Sequence, residues 1–96
     1  MEMFIFARFH ARPGNESAVT KTLLDVVAPT RAEAGCLSIN AFRAKRDPQL
    51  FYIHSRWQDE AAFDSHADLP HTVHFVERIE RLIDHSLDVT RAERIG

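Results

Sequence analysis

Two histidines and two large aromatic residues lie close together in the middle of the chain. Residues 51–71 read FYIHSRWQDEAAFDSHADLPH. Trp57 ends a run that is typical of a strand, and Phe63 and His66 lie three residues apart on a predicted helix. His71 opens the next helix. Because a neutral imidazole accepts protons near pH 7 and aromatic rings line small-molecule pockets, we predict a pocket with His66 as general base and His71 as the second choice.

The same residues have simpler interpretations, which the sequence leaves open. His66 could stabilise the end of its helix, and His71 could satisfy free amides at the start of the next one. Trp57, Phe63 and Phe75 could be ordinary core residues, since large aromatic side chains dominate protein cores. In the pocket interpretation these three rings bind the substrate, and Asn40, a polar residue on a predicted inward strand face, bonds a substrate oxygen.

Cofactor and metal motifs are absent from the sequence. It contains no GxGxxG, no P-loop and no CxxC pair. His66, His71 and His74 could supply the three ligands of a zinc or iron site, but His74 is expected to point away from the apolar stripe of its helix. We therefore predict a site with no metal and no cofactor.

Length and composition describe one ordinary globular domain, residues 1–96. The chain is 45% hydrophobic and 27% charged, with a net charge of −2. Its basic residues are scattered, which argues against nucleic-acid binding, and no apolar run approaches a membrane helix. The single cysteine, Cys36, excludes an intramolecular disulfide and fits a reducing compartment, so the cytoplasm is the expected location.

Hydrophobic periodicity predicts the order β-α-β-β-α-α-β, a ferredoxin-like α+β fold. The predicted elements are strands at 3–11, 36–46, 49–57 and 86–94, and helices at 16–34, from Asp59 as N-cap to about 66, and from Pro70 onward. Pro29 must kink or end the first helix, because it lacks an N–H donor and crowds a carbonyl. The first strand carries large apolar residues on both faces, so we expect a second subunit to cover the face that the helices leave open.

Several motifs resemble those of the antibiotic biosynthesis monooxygenase family. They are TRAEAGCL at 30–37, Asp47-Pro48, WQDEAAF at 57–63, His66, and Pro70-His71. The resemblance covers nearly the whole chain. It implies a homodimer whose two sheets form an α/β barrel, with a pocket between sheet and helices in each subunit. Members include oxygenases that oxidise quinols or polyketide phenols without flavin or metal, haem-degrading enzymes and isomerases.

The sequence departs from the family pattern at three points. Ser55 stands where members commonly carry Glu two residues before the Trp, so no acid–base role transfers to it. Ile53 replaces the Asn of the polyketide-oxidising branch, and the first strand lacks the Asn of the haem-degrading branch. The resulting hypothesis is a cofactor-independent monooxygenase that acts on a quinol or hydroxylated aromatic with O₂. An isomerase and a non-catalytic binding dimer are the alternatives.

Overall fold

The computed structural model of the protein describes all 96 residues and contains the seven predicted elements in the predicted order. They are β1 (Met3–His10), α1 (Glu16–Arg31), β2 (Cys36–Arg43), β3 (Leu50–Trp57), α2 (Glu60–Ala67), α3 (Pro70–Glu80) and β4 (Asp88–Ala92). The strands form one antiparallel sheet in the order β2-β3-β1-β4. This is the predicted ferredoxin-like arrangement. The sheet of the single chain is open, with β2 and β4 at its edges, and does not close into a barrel.

One face of the sheet packs against the helices and forms the core. Alternate residues of β1, from Met3 to Phe9, are buried, as are Phe51, Ile53, Ser55 and Trp57 on β3. Apolar side chains from α1 and α3, among them Leu23 and Ile79, complete the main cluster. This period-two burial is what a half-covered strand requires.

The helix boundaries follow local chemistry. Asp59 caps α2 by accepting a hydrogen bond from the Ala62 N–H at 2.8 Å, as predicted. Asn15 occupies the cap position of α1, but its side chain makes no capping bond. Helix α1 ends at Arg31, three residues before the predicted end at Ala34, and it continues two residues beyond Pro29. None of the helices is both long enough and apolar enough to cross a bilayer.

Strand β2 contains an irregularity that decides which way its side chains point. Cys36 pairs with Trp57 and packs on the helix side, yet the register shifts between Cys36 and Ser38. A bulge inserts one extra residue and so reverses the inward and outward alternation beyond it. Ile39 is therefore buried on the helix side and Asn40 faces the other way.

Candidate active site

A cavity of about 350 Å³ lies between the sheet and the helices. Twelve of its seventeen lining residues are hydrophobic, including Ile5, Ile53 and Phe75. Its volume falls at the lower end of the roughly 300–1,000 Å³ typical of small-molecule pockets. The cavity therefore suits a compact, largely apolar ligand.

His66 lines this cavity and is held there by a carboxylate behind it. Its Nδ1 lies 2.7 Å from Oε2 of Glu33, and the same oxygen lies 2.8 Å from Nε2 of His71. The hydroxyl of Thr72 is 3.2 Å from Nδ1 of His66. The exposed fractions of the Glu33 and His66 side chains are only 13% and 10%, so these hydrogen bonds lie mostly out of water.

The hydrogen bond from His66 to Glu33 selects one tautomer of the imidazole. A carboxylate accepts hydrogen bonds, so Nδ1 of His66 must carry the proton that it donates to Glu33. In the neutral ring this leaves Nε2 with a free lone pair. The arrangement thus gives the cavity wall a group that can accept a proton, with a buried carboxylate to stabilise the resulting imidazolium.

The ends of three helices bring Glu33, His66 and His71 together. Glu33 lies just beyond the end of α1, His66 in the last turn of α2 and His71 in the first turn of α3. Pro70 at the start of α3 fixes where that helix begins. Gly35 allows α2 to approach closely, since a Cβ at this position would lie 2.5 Å from the Cβ of Ala62.

Two of the three predicted aromatic residues line the cavity, and two have rings that pack against His66. Phe63 and Phe75 contribute to its wall. Trp57 is fully buried behind it, with its ring centroid 4.7 Å from that of His66 and 5.4 Å from that of Phe63. The Trp57 N–H donates to the hydroxyl of Ser55 at 3.0 Å. Trp57 therefore supports the site from outside the cavity.

Asn40, the predicted substrate-binding amide, lies away from this cavity. It is exposed on the opposite face of the sheet, and its side-chain oxygen accepts a hydrogen bond from Nη2 of Arg31 at 2.9 Å. The bulge in β2 causes this orientation. Asn40 and His66 therefore do not share a pocket.

Arg91 on β4 brings a positive charge to the rim of the cavity. Its Nη1 lies 2.8 Å from carboxylate oxygens of both Asp64 and Glu60 on α2, and its guanidinium lies over the Phe63 ring. These hydrogen bonds, the one to Asp64 first, raise the pKa of Arg91. The ion pairs connect the edge strand β4 to α2, the helix that carries His66.

Glu33 is the site residue that the sequence prediction omitted. It was noted only as part of the TRAEAGCL segment, where a glutamate near a helix end looks like an ordinary surface residue. The structure instead buries it between the two histidines. Donor atoms of Glu33, His66 and His71 all lie within 4.8 Å of one another, a set that could hold a metal ion. His74, the third ligand considered from sequence, is exposed.

Cys36, the only cysteine, lies beside this region without a catalytic environment. Burial, more than the nearby Glu33 charge, raises the pKa of its thiol. A thiol is a weak nucleophile when it stays protonated. Cys36 therefore acts as a small packing residue next to Trp57.

Comparison with known proteins gives one family model and relatives whose names agree with it. The family model described as antibiotic biosynthesis monooxygenase matches residues 3–78. "Putative monooxygenase Rv0793" of Mycobacterium tuberculosis is 30% identical over 86 residues, covering 90% of this chain and 84% of the relative. "Putative monooxygenase YcnE" of Bacillus subtilis is 28% identical over 87 residues, covering 91% and 92% of the two chains.

Solved structures extend the similarity to the whole fold. The structure of Rv0793 superposes with a TM-score of 0.93 at 27% identity and covers 100% of this chain and 97% of its own. The crystal structure of PA3566 from Pseudomonas aeruginosa gives a TM-score of 0.91 at 32% identity, with 99% and 95% coverage. The ferredoxin-like architecture is thus shared over the full length of the chain.

Proposed function

Because the chain belongs to the antibiotic biosynthesis monooxygenase family, we propose that it oxidises a quinol or hydroxylated aromatic with O₂ in the cavity between sheet and helices. The observation that carries this proposal is the hydrogen bond from Nδ1 of His66 to Glu33, which leaves Nε2 free to act as a base. No bound cofactor is required, since the substrate itself supplies the electrons.

The cavity supports a small aromatic substrate through its size and its apolar lining. Phe63 and Phe75 offer ring faces and edges against which an aromatic molecule can pack. A phenolic hydroxyl has a pKa near 10, so it stays protonated in water at neutral pH. The enzyme must therefore remove this proton before the substrate can react readily with O₂.

His66 is the proposed general base and Glu33 the residue that positions it. Nε2 takes the phenolic proton, and the carboxylate, 2.7 Å from Nδ1, stabilises the imidazolium that forms. Such general-base assistance contributes roughly 10²–10⁴-fold to a rate. His71 donates to the same carboxylate oxygen and so holds it in place, which makes His71 a second positioning residue.

The electrons and atoms balance without an external reductant. The phenolate transfers one electron to O₂, and the phenoxyl radical and superoxide combine at a ring carbon that bears hydrogen. The proton held by His66 passes to the outer peroxide oxygen. Loss of water, made from the outer oxygen and the ring hydrogen, leaves a quinone. One oxygen atom enters the product and the other forms water.

A homodimer is part of the same proposal. The sheet face opposite the helices exposes 52% of Phe6, 50% of Phe42 and 39% of Tyr52. Exposed apolar patches on this scale commonly mark protein–protein contacts. A second copy of the chain is the proposed partner, because two such open sheets facing one another would cover both sets of rings.

Oxygen uptake with a panel of quinols and hydroxynaphthalenes tests the proposal. We expect enzyme-dependent uptake that falls at least tenfold in His66→Ala, which corresponds to about 1.4 kcal/mol of barrier. Glu33→Gln should lower kcat while KM changes little, because the amide still bonds His66 but cannot stabilise its positive charge. His74→Ala, an exposed histidine of α3, is the matched control and should keep full activity.

Two results would contradict the proposal. Uptake that is unchanged in His66→Ala would remove this residue as the base. A folded protein that consumes no oxygen with any substrate of the panel would contradict the oxygenase, and turnover of a ligand without oxygen would favour an isomerase.

A further inference from the structure

We propose that Glu33, His66 and His71 form a binding site for a single divalent transition-metal ion, of which Zn²⁺ is the representative. The site lies behind the cavity wall and differs from the zinc or iron site considered from the sequence, because Glu33 takes the place of His74. It uses two imidazole nitrogens and one carboxylate, whose donor atoms lie within 4.8 Å of one another. Its existence is independent of the oxygenase proposal; only its effect on activity rests on that proposal.

The spacing of the donor atoms suits an ion of this size. Oε2 of Glu33 lies 2.7 Å from Nδ1 of His66 and 2.8 Å from Nε2 of His71. Zinc binds nitrogen and oxygen at about 2.0–2.2 Å, which places two tetrahedral ligands about 3.3 Å apart. Each imidazole nitrogen would therefore move about half an ångström away from Oε2 to admit the ion. The two nitrogens, which belong to a set of donor atoms that spans 4.8 Å, would move closer together.

The ligand types and the access also fit a transition metal. Imidazole favours zinc, copper, iron and nickel over magnesium or calcium. Three protein ligands leave a fourth position for water, the pattern of zinc sites that remain accessible. The side chain of His71 is 26% exposed, against 10% for His66, so the ion can enter from the His71 side.

Metal binding requires each imidazole to carry its proton on the other ring nitrogen. No proton is released to solvent. Nδ1 of His66 and Nε2 of His71 now donate to Glu33, and each must become a metal ligand. The proton of His66 then resides on Nε2, the nitrogen proposed to accept the substrate proton. A bound ion would therefore turn the base into a donor and inhibit the oxygenase.

Calorimetric titration of tag-free, metal-free protein with Zn²⁺ tests the site. We expect one ion per chain, with the affinity lowered at least tenfold in Glu33→Gln and in His71→Ala. His74→Ala is the matched control, since this histidine lies on the same helix but is exposed, and its affinity should equal that of wild type. Titration with Co²⁺ adds a second readout, because visible absorption bands report nitrogen and oxygen ligation directly. Circular dichroism checks that each variant is folded.

The outcomes separate this site from the proposed activity. The site would be overturned if wild type bound zinc no more tightly than Glu33→Gln and His71→Ala do. It would also be overturned if His74→Ala lost as much zinc affinity as those two variants. Stoichiometric zinc binding by a protein that shows no oxygen uptake would support the site and contradict only the oxygenase. Oxygen uptake that rises with zinc would also support the site, but it would contradict the cofactor-free base.

Discussion

The two faces of the sheet are built from neighbouring residues, yet their surroundings differ. On β3, Phe51 is 3% exposed beneath the helices, while the next residue, Tyr52, is 39% exposed on the open face. The helix side contains the cavity, His66 and its buried carboxylate. The open side presents aromatic rings and solvated ion pairs such as Arg56–Glu2.

This comparison shows that apolar character alone does not identify a binding site. Both faces carry phenylalanines and a histidine, but the two surroundings differ. The helix-side cavity is lined mainly by apolar residues and its His66 is hydrogen-bonded to Glu33, whereas the open-face groove beside Phe6 and His54 is lined mainly by polar residues. On the open face the rings are largely exposed, which suits another protein surface better than a small molecule. The same strands thus line a pocket on one side and, in the proposed dimer, form the interface on the other.

Alanine substitutions at the adjacent residues Phe51 and Tyr52 should show the largest difference between the two faces. Phe51→Ala should lower the free energy of unfolding by about 3–5 kcal/mol, because it leaves a cavity in the core. Tyr52→Ala should cost less, and its cost should depend on protein concentration because it acts through association. Denaturant unfolding at two protein concentrations measures both effects. Equal, concentration-independent losses for the two variants would contradict the distinction between the faces.

A charge on the open face should disrupt the proposed dimer. Phe6→Asp places a carboxylate among the exposed rings, where burial against a second copy would be costly. Light scattering at micromolar concentration should give a dimer mass for wild type and a monomer mass for the variant. Val73→Asp replaces a similarly exposed apolar residue on α3 and should remain a dimer. A monomer mass for wild type would refute the dimer itself.

The smallest expected effect concerns acid stability near the end of β1. A hydrogen bond from His10 holds the pKa of Asp84 below its ordinary value of 3.8. A depressed carboxyl pKa stabilises the fold above the unfolded value, and this contribution is lost as the pH falls through the folded value. The midpoint temperature of thermal unfolding should therefore fall less steeply from pH 7 to pH 3 in Asp84→Asn than in wild type. Parallel pH profiles would show that this solvated pair contributes nothing to stability, which is common for surface ion pairs.

Most of the fold could be predicted from sequence because several local sequence signals indicate the same elements. Alternation on β1 and β3, the Asp59 cap and Pro70 at a helix start all act over a few residues. The end of α1 was misplaced by three residues, since Pro29 was accommodated within the helix and the helix then ended at Arg31, before Ala34. Helix ends are set by a few weak local contacts, so boundary predictions fail there first.

The site was less predictable because it depends on contacts between distant residues. His66 and Glu33 are 33 positions apart, and nothing near either residue indicates their hydrogen bond. Asn40 was expected on an inward strand face, but the bulge after Cys36 turns it to the other side. Residue types therefore indicated that base chemistry was available, whereas the tertiary structure determined which groups meet.

The most direct test of the central claim, monooxygenation in the helix-side cavity, follows the oxygen atoms. A substrate that supports oxygen uptake is incubated with ¹⁸O₂, quenched rapidly and analysed by mass spectrometry. The proposed reaction predicts one labelled atom in the quinone and the other in water, with formation of labelled product greatly reduced in His66→Ala. A quinone without label, accompanied by hydrogen peroxide, would contradict the claim and identify a simple oxidase instead.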